Sequence, residues 1–293
     1  MVKLLCLGCM VAAVAAAVVR GAEAGEAAPS AEPAPPAQAG EAGAKSPEAP
    51  GGRSGAEVIA QLLSARSSLA QTEAEFSWVI GPIGADQRRF EGRLFLVDAN
   101  RYRVQFGVAG VVGGNERVLL VPDGRWAYEF GNVPGSMGMR LDLAYVKKEV
   151  HSPAARVGYD PSGGVLLELL RERGYVTYEG DQDLDVGRCA VLSYEGHSFR
   201  ASSPSGPQMP SDTAVARTRL VYRYEDGLLV GEEELDARGR PLSTYRLLGV
   251  RRFEPTPGLL EVPASIHCVD MTKQLVRRSL YGPPRPVPGA LAR

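Results

Sequence analysis

The stretch FEGRLFLVDANRYRVQFGV, residues 90–108, decides the fold. Phe90, Leu94 and Leu96, then Tyr102, Val104, Phe106 and Val108, fall on alternate positions, and Arg101, Arg103 and Gln105 fill the positions between the second set. A period of two places residues i, i+2 and i+4 on one face of an extended chain, so this stretch predicts strands with one dry face and one wet one. The same period starts upstream at Phe76, Trp78 and Ile80. It continues through 116–122 and 125–131, joined by the tight-turn residues Pro122-Asp123-Gly124. Beyond an irregular interval, strands are predicted at 174–180, 187–195, 215–224, 228–236 and 241–252. Glu225-Asp226-Gly227 and Asp236-Ala237-Arg238-Gly239 separate the last three. Here too Arg217, Arg219 and Arg223 alternate with Thr218, Leu220, Tyr222 and Tyr224.

Consecutive strands with short turns form antiparallel meanders, which excludes a doubly wound nucleotide-binding fold. About ten strands with a single dry face are expected to curl into one half-open antiparallel barrel, mainly β with covering helices (α+β). Three segments are candidates for the cover. One is a helix over 56–71 carrying Val58, Ile59, Leu62, Leu63 and Leu69, with Ser54 as its cap. The second is 136–150 with Met137, Met139, Leu141, Leu143 and Val146, and the third is the run Val165, Leu166, Leu167, Leu169, Leu170; a final helix is expected through Met271, Leu275, Val276 and Leu280.

The ends of the sequence read differently. Residues 1–24 have the three parts of an export signal: Lys3, an apolar run over 4–19, and Ala22 and Ala24 flanking Glu23. Cleavage near Ala24 is expected, giving a soluble periplasmic protein, because the apolar run is shorter than the roughly 20 residues of a bilayer span. Residues 25–54, with Pro29, Pro33, Pro35, Pro36, Pro47 and Pro50 and no large apolar side chain, read as a disordered linker. That leaves a domain over 55–282, with a long surface loop at 198–213, and a Pro-rich tail over 283–293. The 293-residue chain has 33 Lys plus Arg against 34 Asp plus Glu, a balance that excludes a nucleic-acid binder or a polybasic membrane-surface protein.

Catalytic and metal signatures are thin, and the chain reads as a non-enzyme without cofactor or metal. His151, His197 and His267 lie far apart, and none has a second ligand at metal-binding spacing. Gly135, Ser136 and Gly138 do not make a nucleophile elbow; Gly110, Gly113 and Gly114 precede a strand instead of a helix and so make no phosphate loop. Glu232, Glu233 and Glu234 read as a solvated edge. Once Cys6 and Cys9 leave with the signal, Cys189 and Cys268 remain; a single bridge between them and two separate buried thiols are both open.

The run from Gly92 through Leu94, Leu96, Asp98, Asn100 and Tyr102 to Val104 resembles the periplasmic carrier family of outer-membrane lipoprotein sorting (LolA/LolB-like). So does the later order of Gly227-Leu228-Leu229, Asp236 to Gly239, Tyr245, Val250 to Phe253 and Pro263. The resemblance spans about residues 56–272. It implies an open half-barrel of about eleven strands whose concave apolar face, lidded by helices, holds lipoprotein or lipid acyl chains. It also implies an inner-membrane donor and an outer-membrane acceptor as partners. The family's Lys-Arg-Pro latch is replaced here by Val97, Asp98 and Ala99, so its transporter-driven release cycle is not carried over and a divergent member is expected. An envelope-stress sensor on the same fold, and a structural envelope protein with a self-filled concavity, are the alternatives.

Period-two geometry selects Phe76, Trp78, Phe90, Leu94, Leu96, Tyr102, Val104, Phe106, Trp126, Tyr128 and Phe130 as the lipid-binding cavity lining. Met137, Met139, Leu141 and Leu143 are expected to form a mobile lid, since unbranched methionine adapts to irregular apolar partners. The expected partners are lipoprotein acyl chains or free lipid, bound by a monomer, with no nucleic acid.

Overall fold

Ala70–Ile80 (β1), Arg88–Asp98 (β2), Tyr102–Val108 (β3), Arg117–Val121 (β4), Trp126–Gly131 (β5) and Met137–Asp142 (β6) form one antiparallel run. Thr177–Leu184 (β7), Gly187–Glu195 (β8), Arg217–Arg223 (β9), Leu229–Leu235 (β10) and Pro241–Arg252 (β11) form a second. β1 unites them by pairing with β2 along one edge and β11 along the other. A short strand, His267–Asp270 (β12), adds in parallel to β6. The result is one twelve-stranded sheet in the order β12-β6-β5-β4-β3-β2-β1-β11-β10-β9-β8-β7, whose end strands do not pair with each other. The sheet is therefore an open half-barrel. The computed structural model describes residues 52–81, 87–111, 116–198 and 215–281. The expected export signal (1–24), nearly all of the expected 25–54 linker, nearly all of the expected 198–213 loop and the expected 283–293 tail lie outside the described residues.

The helices follow their sequence signals. Gly55–Ala65 (α1) begins at Ser54, whose hydroxyl accepts the Glu57 N–H while the Glu57 carboxylate accepts the Ser54 N–H: a complete capping box. Val58, Ile59 and Leu62 form its buried stripe. It is shorter than the predicted 56–71 helix, because one 3-10 turn at Arg66–Ser68 ends it and β1 begins at Ala70. Leu143–Val150 (α2) is capped by Asp142, Gly164–Arg173 (α3) lies between left-handed Gly163 and Gly174, and Thr272–Tyr281 (α4) is the predicted last helix. Asp160, at the end of a 3-10 segment Pro153–Tyr159, accepts the Val165 N–H at 2.6 Å and so satisfies the start of α3.

Two clusters fill the helix-covered face. α1 and α3 pack with Tyr178, Ala190, Leu192, Leu220 and Tyr222 of the second run. Tyr159, Leu143, Met271 and Leu275 pack on the first run and β11, among Phe76, Leu94, Leu96, Tyr102, Val104, Val121 and Tyr245. Gly92 makes this packing feasible, because a Cβ there would strike the Phe76 ring and the Gln105 carbonyl. The opposite face is largely the wet one: Glu73 bridges Arg93 of β2 and Arg251 of β11, and Glu233 bridges Arg219 and Arg246.

Two expectations are corrected, and of the two alternatives open for the cysteines one holds. The segment carrying Met137, Met139 and Leu141 is not a lid across the concavity but strand β6, hydrogen-bonded to β5 and β12, and Leu143 opens α2. The alternation with Gly138, Arg140 and Asp142 is itself the strand's period of two. Met137 is half exposed and only Leu141 is fully buried among these. Cys189 and Cys268 are free thiols, on β8 and on β12, near opposite ends of the strand order, so no bridge joins them. Burial pushes the Cys189 thiol up to about 11. Finally, the outer face is not wet throughout: Leu260, Val262 and Ile266 cover Val118, Leu120 and Phe130.

Candidate ligand-binding face

Register fixes which predicted lining residues share a face. Trp78 pairs with Phe90, Phe76 with Gly92, Leu94 with Val104 and Leu96 with Tyr102; Gly92 pairs with Phe106. Phe76, Trp78, Phe90, Leu94, Leu96, Tyr102, Val104 and Phe106 thus line one continuous inner face, which runs on through Leu119, Val121, Ala127 and Leu141. Tyr245 extends it past β1, with ring contacts to Phe76 at 5.6 Å and Trp78 at 6.1 Å between centroids.

Trp126, Tyr128 and Phe130 lie on the other face. Tyr128 pairs with Leu120 and Phe130 with Val118, both outward residues of β4, and it is Ala127 and Glu129 that face inward. Trp126 sits between the guanidinium groups of Arg125 and Arg140, 5.4 Å and 4.9 Å from its ring.

The inner face is graded along the strands. At the turn end Leu94 and Leu96 are sealed and Tyr102 is 3% exposed. At the other end Trp78, Phe90 and Phe106 are half-buried, and Val108 is 40% exposed. The half-exposed end is also where polar groups enter the inner face, and periodicity gives no sign of their burial. Arg117 meets the buried Glu129 at 2.6 Å. Trp78 donates its indole N–H to the Ser243 hydroxyl at 2.9 Å. Glu232 and Glu234, expected as a solvated edge, are both buried: the Ser198 hydroxyl donates to Glu232 and the Ser198 N–H donates to Glu234 at 2.8 Å. Burial pushes the Glu234 carboxyl up to about 7, with the nearby Glu232 charge adding to the rise.

No group of three or more metal-ligating side chains occurs among the described residues, and no helix there is long and apolar enough to cross a membrane. What the geometry defines is an α+β half-barrel with an apolar inner face, closed at one end and partly open at the other.

No protein-family model and no curated protein matches the sequence. Similar solved structures include an uncharacterized conserved protein from Thermus thermophilus, 12% identical over 73% of this chain and 99% of that one, with a TM-score of 0.42. The LolA superfamily protein NE2245 from Nitrosomonas europaea is 8% identical over 72% and 98%, with a TM-score of 0.32. The Pseudomonas aeruginosa MucA/MucB complex is matched at 13% identity over 72% of this chain and 61% of that one, with a TM-score of 0.36. These are distant likenesses. The half-barrel itself rests on the strand pairing.

Proposed function

We propose that this protein is a non-catalytic carrier of acyl chains, of lipid or lipoprotein, working in the periplasm after export. One observation carries the reading: the inner face is a register-continuous apolar surface whose aromatic end, Trp78, Phe90 and Phe106, is left half-exposed instead of being sealed by the helices. Exposed contiguous apolar surface costs free energy in water, on the order of 25 cal/mol per Å², and marks a place where another apolar body docks. Entry at this end lets a chain lie along Val108, Phe106 and Phe90 before it meets the packed Leu94 and Val104.

The test is displacement of a fluorescent fatty acid. Phe106→Glu and Val108→Glu, at half-exposed and exposed positions, are expected to weaken binding tenfold or more with native circular dichroism. Leu94→Glu, at a sealed position, is expected to unfold the domain and so is no test of binding. Undiminished binding by both folded variants would contradict the reading.

A further inference from the structure

A cavity of about 460 Å³ lies at the turn end of the half-barrel, between α1, α2, α3 and the turns that follow β2 and β4. Its apolar wall is inner-face core, Val121 and Leu143. The polar groups at its margin are unevenly committed. Asp160 spends its carboxylate on the Ser162 N–H and hydroxyl and on the Val165 N–H. Glu168 pairs with Arg156 at 3.6 Å. Arg66 donates to the Ser162 carbonyl and hydroxyl and to the Gly227 carbonyl. The acceptors are therefore engaged.

Three donors are not. The Tyr102 hydroxyl is buried with no hydrogen-bond partner, and so is the Arg156 Nε. The Lys147 ammonium makes no ion pair or hydrogen bond among the described residues. Leaving a buried hydroxyl unsatisfied is destabilising, so Tyr102 is a donor held in place without an acceptor. Burial, and next the Asp160 charge, keep this phenol well above its usual pKa, so it stays protonated at any physiological pH.

We propose that this pocket binds the oxyanion head, carboxylate or phosphate monoester, of a small amphiphile. Tyr102, Arg156 and Lys147 donate to the head, and Val121 and Leu143 receive the first carbons of its tail. Hydrogen bonds from such donors to an ionised acceptor are the strong, charge-assisted kind. The pocket is separate from the half-exposed aromatic end: Tyr102 and Phe106 lie four residues apart on β3, roughly 13 Å at the rise of a strand. It therefore stands or falls independently of acyl entry at that end.

Calorimetric titration of the whole protein with octyl phosphate, octanoate and octanol tests it. One or both of the anionic amphiphiles should bind at least tenfold more tightly than octanol, and comparing the two identifies the head. Tyr102→Phe and Lys147→Gln should each weaken that binding about tenfold. The melting temperature of Tyr102→Phe should hold or rise, since the change removes only an unsatisfied hydroxyl. The Tyr102→Phe loss should persist in a Phe106→Glu background, which separates this pocket from acyl binding at the aromatic end. Equal affinity for octanol, no binding of either anion, or undiminished binding by Tyr102→Phe and Lys147→Gln would overturn the proposal.

Discussion

Glu234 sits on a strand between Glu233, which faces solvent and two arginines, and Leu235. Its carboxyl is raised to about 7 from an ordinary 4.5, first by burial. A folded-state value above the unfolded one means that the folded protein holds this proton more tightly. The associated stability is complete below about pH 4.5 and is lost as pH rises through 7, a loss on the order of 3 kcal/mol once both states are ionised. The melting temperature is therefore expected to fall between pH 5 and pH 8, and Glu234→Gln to flatten that fall; an unchanged slope in the variant would contradict the assignment. Arg223 and Asp226 show the same limit of period-two reading. Alternation puts Arg223 on the wet face, yet the Glu225-Asp226-Gly227 turn, itself legible in the sequence, folds Asp226 back so that its two oxygens accept from the Arg223 guanidinium at 3.0 Å and 2.6 Å, both groups buried. Asp226→Ala strands a buried guanidinium and is expected to cost about 3–5 kcal/mol in urea unfolding. A loss under about 1 kcal/mol, the size of an exposed pair, would mean that water reaches Arg223.

At the level of elements, strand positions are legible wherever one face is dry and the other wet: β8 and β11 fall at the predicted 187–195 and 241–252. β4 defeats that logic because Val118, Leu119, Leu120 and Val121 are all buried, so alternation vanishes. With no polar phase marker there, the pattern puts the aromatic positions of β5 on the wrong face. The cover that makes their face dry, residues 253–266, has no regular period to announce it. β6 escapes the sequence for a different reason: methionine content suggests mobility, while backbone pairing on both edges fixes the strand. Amides of 137–142 that donate into these ladders are accordingly expected to exchange as slowly as those of β5, with or without a fatty acid. Fast exchange there, slowed by ligand, would restore the lid.

Across the whole molecule the half-barrel has two unlike ends. Helices seal the turn end, leaving a donor-rich pocket over an apolar wall, and the opposite end exposes aromatic side chains beside buried carboxylates. The half-barrel is legible in strand count and turn spacing; the parallel strand β12 is not, since four residues at 267–270 carry no pattern that their sequence alone can show. The polarity of the two ends is equally hidden, because it depends on register across strands far apart in sequence. The central claim, that the inner face carries an acyl chain, is tested most directly by native mass spectrometry of the protein isolated from its host. The account predicts an amphiphile-sized mass increment, released on denaturation and strongly reduced in Phe106→Glu; wild-type protein at its bare mass, or an increment that Phe106→Glu leaves intact, would contradict it.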